Sequence, residues 1–245
     1  MKTPADKLLA DVYVSAVTGT KAKAADRYAI DVLGIPSLDL MERASRHVTD
    51  YILESFGKVT SERNVSVTVM CSVGNNGADG VCIARQLLEE NRRFSPRVLI
   101  AGSLEKATWE FLRQLSDYRK LGGEVLYPRK DPSEASGFHD LQEFFSSADV
   151  IVDALFGIGL KRPVEGIYRD LIEASGCAGG SALKIAVDVP SGINADDGCA
   201  MGISFQADVT LTFGRMKTGL LKEDGPAAAG RILVCDIGIP EEAYK

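Results

Sequence analysis

The sequence predicts a three-layer α/β/α fold, in which a mostly parallel central sheet follows an N-terminal pair of helices. From about residue 64 onwards, apolar runs of strand length alternate with segments of helical periodicity. Several of these runs are continuous stretches of Val, Ile and Leu, as in parallel strands that helices cover on both faces. No linker, charge block or internal repeat divides the chain, so we expect one domain over residues 1–245.

Residues 17–57 are predicted to form two helices ahead of the sheet. Thr20 is the predicted N-terminal cap of the first helix, and Gly34 is its predicted stop. The second helix is predicted from Ser37 to Gly57. Apolar residues at a spacing of three to four mark both helices: Ala22, Ala25, Ala29, Leu33, Met41, Ala44, Val48, Ile52 and Phe56.

The doubly wound core is predicted over residues 64–241. Helices are expected after the first and second strands and near residues 164–175, whereas the stretch 225–230, GPAAAG, is predicted to be a loop. The predicted strands are residues 65–71, 97–101, 124–128, 149–155, 184–189, 208–213 and 231–238.

Composition excludes several classes of protein. The chain has 34 Asp and Glu against 28 Lys and Arg, a net charge of −6, which disfavours nucleic acid as a partner. No apolar run approaches the roughly 20 residues of a membrane span, and the N-terminus lacks a secretory leader, so no membrane partner is expected. Five cysteines without a C-x-x-C spacing predict reduced thiols in a cytoplasmic protein, and two histidines are too few for a zinc site.

In an open α/β sheet, ligands bind beyond the carboxyl ends of the strands, and the first candidate segment there is residues 72–80, SVGNNGADG. Its glycines allow tight turns and close ligand approach, and the following helix N-terminus offers free N–H groups to a phosphate. The G-x-x-G-x-x-G spacing fits neither the dinucleotide fingerprint nor the P-loop. The alternative is that Asp79 only caps the helix, while Asn75 and Asn76 adopt left-handed turn conformations.

The second candidate segment is residues 152–163, VDALFGIGLKRP. A strand ends in Asp153 and is followed by a glycine-hinged loop with two adjacent cations, Lys161 and Arg162. This arrangement suits a pocket for an anionic ligand. The alternative is that Asp153 caps local backbone and the two cations belong to a solvated loop.

The third candidate segment is residues 187–196, VDVPSGINAD, where a strand delivers Asp188 to a Pro-Ser-Gly turn. A carboxylate at the mouth of an apolar site can act as a general acid and base, while the alternative is an Asx-turn. Ser191 is not in a G-x-S-x-G elbow, so hydrolase chemistry is unsupported. Oxygens of Asp153, Ser191 and Asn side chains suit a hard cation.

Six motifs in this order closely resemble the YjeF N-terminal domain family, the NAD(P)H-hydrate epimerases, over about residues 17–241. They are LGIPSLDLMERAS, GNNGADG, VDALFGIGLKRPVEG, VDVPSGINADDG, ADVTLTFGRMKTGLL and DIGIP. The resemblance implies a Rossmann-like domain that epimerises the C6 hydroxyl of hydrated NADH or NADPH (NADHX or NADPHX), so that a dehydratase can repair the nucleotide. Two positions differ from the family pattern, because Ala78 and Ser45 stand where the family usually has glycine.

The resemblance also implies the residues of the site. Asp188 becomes the catalytic residue, which we expect to exchange a proton at the C6 hydroxyl. A potassium ion would be bound by Asn76, Asp153 and Ser191. The implied substrate contacts are Asn75, Asn76, Gly77, Ala78, Asp79, Gly157, Ile158, Gly159, Leu160, Lys161, Arg162, Pro163 and Asp188.

The family further implies a homodimer, for which the two N-terminal helices are the expected interface. Because the chain ends at Lys245 without a dehydratase domain, an ATP- or ADP-dependent dehydratase is expected as a separate protein. The main alternative is a non-catalytic, Rossmann-like nucleotide-binding module or dimeric scaffold on the same fold. A nucleotide-dependent oxidoreductase is less well supported, since the G-x-G-x-x-G fingerprint is missing.

Overall fold

The structure is a computed structural model that describes residues 16–57, 63–90, 93–128, 141–142, 144–176 and 182–245. Within these residues, seven strands form one sheet in the order β3-β2-β1-β4-β5-β6-β7, and every neighbouring pair is parallel. The strands are β1 Val65–Cys71, β2 Phe94–Ile100, β3 Glu124–Leu126, β4 Val150–Ala154, β5 Leu183–Val187, β6 Val209–Phe213 and β7 Arg231–Cys235. The predicted α/β fold class is confirmed.

The helices flank this sheet. They are α1 Gly19–Asp31, α2 Ser37–Gly57, α3 Asn75–Glu90, α4 Trp109–Lys120, α5 Ile167–Gly176 and α6 Gly225–Ala229, with single 3₁₀ turns at Leu104–Lys106, Thr218–Leu221 and Glu241–Tyr244. None of the helices in the described part of the chain is long and apolar enough to cross a membrane.

Strand β4 shows how the sheet divides the core into two layers. Val152 packs with Val69 and Ile83 on the face covered by α2, α3 and α4. The next residue back, Ile151, packs with Phe145 and Leu171 on the opposite face. Successive side chains of a buried parallel strand point to opposite faces, so both faces must be apolar, which explains the continuous Val and Ile run.

Several elements differ from the predictions, and the four clearest differences are in α1, β2, α6 and β7. Helix α1 begins at Gly19 because Thr18, not Thr20, accepts from the Lys21 N–H at 3.1 Å. Strand β2 begins at Phe94 and includes Pro96, which is tolerated because β3 pairs with β2 only from Arg97 onwards. The predicted loop at 225–230 is wrong, since these residues form helix α6 with proline in its first turn. Strand β7 ends at Cys235, three residues earlier than predicted.

Helix α3 crosses the sheet at Gly80, which allows a close approach to β1 and β4. A Cβ atom on Gly80 would lie 2.5 Å from Ala154 Cβ and 2.8 Å from Cys71 Sγ. Both neighbours are fully buried in the core and have no room to retreat. The first turn of α3, which carries Asn75 and Asn76, is therefore pressed against the carboxyl ends of the two central strands.

We expect Gly80→Ala to lower the free energy of unfolding by about 1–3 kcal/mol, because overpacking forces neighbouring groups to shift. Urea denaturation of the purified protein measures this. The control is Gly176→Ala, since a Cβ at Gly176 meets no atom of the described residues within 4 Å. Equal stability of the two variants would show that α3 can move away from the sheet at no cost.

Candidate active site

A cleft of about 640 Å³ lies at the carboxyl ends of the central strands. Its walls include helices α1 and α2, the first turn of α3, the loop after β4, the residue that follows β5 and Lys217 after β6. Strands β1 and β4 are neighbours in the sheet. After β1 the chain adds β2 and β3 on one side of β1, and it then crosses over to add β4 on the other side. This is the switch point at which doubly wound sheets open a crevice for ligands.

Asp188 follows β5 and has an unusual backbone conformation. Its φ angle is +68°, in the left-handed region that non-glycine residues seldom adopt. The Asp188 N–H donates to the Leu211 carbonyl at 2.8 Å, which fixes the turn against the end of β6. Because the side chain lines the cleft and is 8% exposed, the strained turn presents a nearly buried carboxylate to a ligand.

One oxygen of Asp188 is fully engaged and the other is free. Oδ1 accepts from Lys217 Nζ at 2.5 Å, Phe213 N at 3.1 Å and Thr212 Oγ1 at 3.2 Å. Within the described part of the chain, Oδ2 has no hydrogen-bond partner, and it would lie 3.5 Å from a Cβ built on Gly157. The same Cβ would lie 3.0 Å from Asn76 Oδ1, so Asp188 Oδ2 and Asn76 Oδ1 both lie close to Gly157.

Lys217 is a member of this site that the sequence analysis did not single out. The residue is 2% exposed, and its ammonium group also donates to the Phe213 carbonyl at 2.6 Å. Lys217 lies within the motif ADVTLTFGRMKTGLL. The one signal in the sequence that could have placed it at the site is its position four residues after the predicted strand 208–213. Lysine is seldom buried unless its charge is paired, and here the pair is with Asp188.

Two further carboxyl groups enter the cleft from helices, Asp79 from α3 and Asp26 from α1. Burial raises the pKa of Asp79 well above its usual range, and the charges of Asp188 and Asp26 add to that effect. Burial and then the charge of Asp188 raise the pKa of Asp26 to about 6, although Lys217 acts in the opposite direction. No motif or strand end in the sequence marks Asp26, which lies within helix α1.

Asp153 is fully buried below the cleft, at the end of β4. Oδ2 accepts from the Ser191 N–H at 2.7 Å, and Oδ1 accepts from Ser191 Oγ at 2.6 Å and the Leu155 N–H at 3.3 Å. Burial raises the pKa of Asp153 to about 6 against these three donors. No lysine or arginine of the described residues forms an ion pair with it. The hydrogen bond from the Leu155 N–H to Oδ1 is local backbone capping, which was the alternative interpretation of Asp153.

Comparisons with known proteins identify the family. A family model described as the YjeF-related protein N-terminus matches residues 37–219. The chain belongs to this YjeF-related family. Within it, a protein of Limosilactobacillus fermentum named NAD(P)H-hydrate epimerase is 40% identical over 90% of this chain and 96% of its own length. A Levilactobacillus brevis protein of the same name is 38% identical over 91% of this chain and 94% of its own length.

Two further matches of this YjeF-related chain differ in kind. The bifunctional NAD(P)H-hydrate repair enzyme Nnr of Salinibacter ruber is 34% identical over 91% of this chain, which corresponds to 41% of that protein. The crystal structure of the yeast protein ynu0 has 23% identity and a TM-score of 0.71, covering 89% of this chain and 86% of that one. The yeast structure supports the fold, and the family resemblance read from the motifs is confirmed.

The predicted substrate contacts of this YjeF-related domain divide into two groups. The cleft is lined by Asn75, Asn76, Asp79, Gly157, Ile158, Gly159, Leu160 and Asp188. The remaining predicted contacts are not part of the cleft lining: Gly77, Ala78, Lys161, Arg162 and Pro163.

Helix α3 starts at Asn75, earlier than the predicted loop allows. Asn75 and Asn76 are therefore helical rather than left-handed, and Asp79 lies inside the helix rather than capping it. Gly77 is required because a Cβ there would overlap the Ser72 carbonyl oxygen. Ala78 is fully buried in the core, and its N–H donates to the Gly74 carbonyl at 2.9 Å. Its φ is not positive, so its methyl group causes no backbone strain.

The side-chain amide of Asn76 is a buried donor at the cleft. Its Nδ2 is buried and has no hydrogen-bond partner among the described residues. A buried amide without a partner costs roughly 1–3 kcal/mol, so such groups normally meet a ligand, a water molecule or an ion. Because Asn76 lines the cleft, a bound ligand is the natural acceptor for this amide.

Proposed function

We propose that this chain is an NAD(P)H-hydrate epimerase, which interconverts the R and S forms of hydrated NADH or NADPH at C6. The observation that carries the proposal is the nearly buried Asp188, whose Oδ1 is fixed by three donors while Oδ2 is free in the cleft. The two epimerases with 38–40% identity over almost the whole chain support the same reaction.

Asp188 exchanges a proton with the C6 hydroxyl through Oδ2. The substrate carbon is a hemiaminal, so protonation of its oxygen lets the C–O bond open and the hydroxyl return on the other face. Lys217 and Thr212 hold the carboxylate in one orientation, which keeps Oδ2 directed at the cleft. Holding a reacting group in place in this way lowers the entropic part of the barrier.

The cleft offers separate surfaces to the remaining parts of a nucleotide. The first turn of α3 provides backbone N–H groups without helical partners, which suit a pyrophosphate. Asn76 Nδ2 is free to donate to a substrate oxygen. Phe156 and Tyr168, whose ring centroids are 4.8 Å apart, form an aromatic wall against which a planar group can pack.

Asn76, Asp153 and Ser191 fit a potassium site, because Asp153 is a fully buried carboxylate that no cationic side chain of the described residues neutralises. These three residues would supply an amide, a carboxylate and a hydroxyl oxygen, the ligand type that hard cations prefer. The ion would supply positive charge that fixes the oxygens of the neighbouring loops.

We expect KCl to raise the stability of the protein by about 1.4 kcal/mol at ten times the dissociation constant of the ion. Thermal melts in KCl and in N-methylglucamine chloride at equal ionic strength measure the difference. Asp153→Asn should abolish it, whereas Asp170→Asn, on α5 outside the cleft, should retain it. The same melting temperature in both salts would argue against the ion.

Three wider features of the reaction are part of the proposal. A homodimer through α1 and α2 would cover Val32, which is 63% exposed at the turn between these helices. A separate dehydratase would consume one epimer, and the relatives named as bifunctional repair enzymes support this pairing of activities. A cytoplasmic location agrees with the cysteines of the described residues, Cys71, Cys82, Cys199 and Cys235, which are all free.

The test is to add the purified protein, with potassium, to the R epimer of NADHX or NADPHX and to follow both epimers by chromatography. We expect a faster approach to the equilibrium mixture than in the protein-free control. If the folded protein binds the hydrate without accelerating this exchange, the chain is a binding scaffold and the proposal is wrong.

A further inference from the structure

We propose that Asp26 is a second catalytic carboxylate of this site, serving the face of the substrate ring that Asp188 does not reach. The inference rests on the proposed epimerase function. Asp26 lines the same cleft as Asp188 but comes from α1, outside the sheet and outside the segment that matches the family model. Ala22 and Ile30 lie one turn before and one turn after Asp26 and also line the cleft, so one face of α1 forms this wall.

Helix α1 is held in a fixed position beside the catalytic pair. Val17, just before the helix, bridges to Lys217, since its N–H donates to Met216 at 2.8 Å and its carbonyl accepts from Thr218 at 2.9 Å. The first helical N–H, of Gly19, donates to Asp196 Oδ1 at 2.6 Å. The wall that carries Asp26 is therefore attached to the residues around Lys217 and cannot drift from Asp188.

The carboxyl group of Asp26 is free to act. The side chain forms no hydrogen bond and no ion pair with any other part of the chain that the structure describes, so it serves no evident structural purpose. The groups that face it are Asp79 from α3, Asp188 after β5, Lys217 after β6 and Tyr244 from the C-terminal 3₁₀ turn, with Lys23 on its own helix. Burial and the charge of Asp188 raise its pKa to about 6, which allows it to give or take a proton near neutrality.

Inversion at C6 by loss and return of water involves proton transfer on two faces of the ring. On the first face the C6–O bond breaks and its electron pair leaves with the oxygen, which takes a proton from one carboxylic acid and departs as water. The N1 lone pair then forms the second bond of a C6=N1 iminium ion. Water adds to C6 from the opposite face, the π electrons return to N1, and the other carboxylate accepts the proton. One proton thus passes from one carboxyl group to the other in each turnover.

Asp188 alone is badly placed to serve both faces. Three hydrogen bonds fix its Oδ1, and its backbone is held at a φ of +68° by the contact to Leu211. A carboxylate held in this way presents Oδ2 to one side of a bound ring only. Asp26 lines the same cleft from helix α1, and we assign the other side of the ring to it.

We expect Asp26→Asn to lower kcat by about 100-fold or more in both directions, with KM within threefold of wild type. Asp26→Glu, which keeps a carboxyl group, should recover at least tenfold of that loss. Asp31→Asn, an exposed substitution at the end of the same helix, should leave the activity unchanged. Circular dichroism checks that each variant is folded.

The pH profile provides a second readout that a structural role would not move. The active form has one carboxyl group protonated and the other ionised, so kcat/KM in both directions should fall as the pH rises above about 6, where Asp26 loses its proton. The residual activity of Asp26→Asn should lack this decline. Wild-type kcat in Asp26→Asn, or a change in KM alone, would overturn the catalytic role while leaving the epimerase function intact. No acceleration by the wild-type protein would overturn the function itself, and with it this role.

Discussion

Replacing Asp188 with Asn is expected to slow the interconversion of the R and S epimers by about 10²–10⁴-fold, the usual contribution of a positioned general acid or base. An amide at this position cannot exchange a proton with the C6 hydroxyl. The shape of the side chain is unchanged, and its oxygen can still accept from Lys217 Nζ, as Oδ1 does at 2.5 Å in the native protein. The effect should therefore fall on kcat.

The measurement is the initial rate of epimer exchange, followed by chromatography at saturating substrate. Asp170→Asn provides the matched control, because it makes the same chemical change outside the cleft lining. Circular dichroism and urea denaturation establish that Asp188→Asn is folded at the assay temperature. A folded variant with a rate within threefold of wild type would remove Asp188 from the mechanism.

Replacing Lys217 with Met is expected to lower the free energy of unfolding by about 3–5 kcal/mol, the usual cost of removing one member of a buried ion pair. Lys217 is 2% exposed and Asp188 8% exposed, so little water reaches the place of the lost ammonium group. After the substitution, the donors to the Asp188 carboxylate that remain among the described residues are Thr212 Oγ1 and the Phe213 N–H. The Phe213 carbonyl also loses its bond from Nζ.

Urea denaturation at neutral pH measures this loss, with Lys222→Met, an exposed lysine, as the control. The double variant with Asp188→Asn should recover much of the stability, because the unpaired charge is then absent. If Lys217→Met lowers the free energy of unfolding by less than about 1 kcal/mol, the Lys217–Asp188 pair stabilises the protein no more than an exposed salt bridge does.

The strands were predictable because a buried parallel strand needs apolar side chains on both faces, and that requirement is visible in a single run such as residues 65–71. The start of α3 was not. Gly77 and Gly80 suggest a loop by their local preferences, but they are glycines because α3 packs against Ser72 and Ala154. Tight packing between elements distant in sequence has no local signature.

The residues that meet at the cleft were predictable to the same extent. Asp153 and Asp188 were identifiable because each directly follows or ends an apolar strand, and such positions converge at one edge of the sheet. Asp26 and Lys217 come together at the cleft only when α1 docks beside the end of β6, a contact between residues about 200 positions apart. Lys161 and Arg162 are exposed and outside the cleft lining, and their contact with the substrate stays a prediction.

The bridge between Val17 and Lys217 has a consequence for how the molecule folds. Contacts between residues so far apart in sequence require a large loop to close, and they form more slowly than neighbouring pairs such as β1 and β2. We therefore expect an intermediate in which the sheet is assembled while α1 is still undocked. Such a species would be compact but catalytically incomplete, so regain of activity during refolding would trail the return of secondary structure.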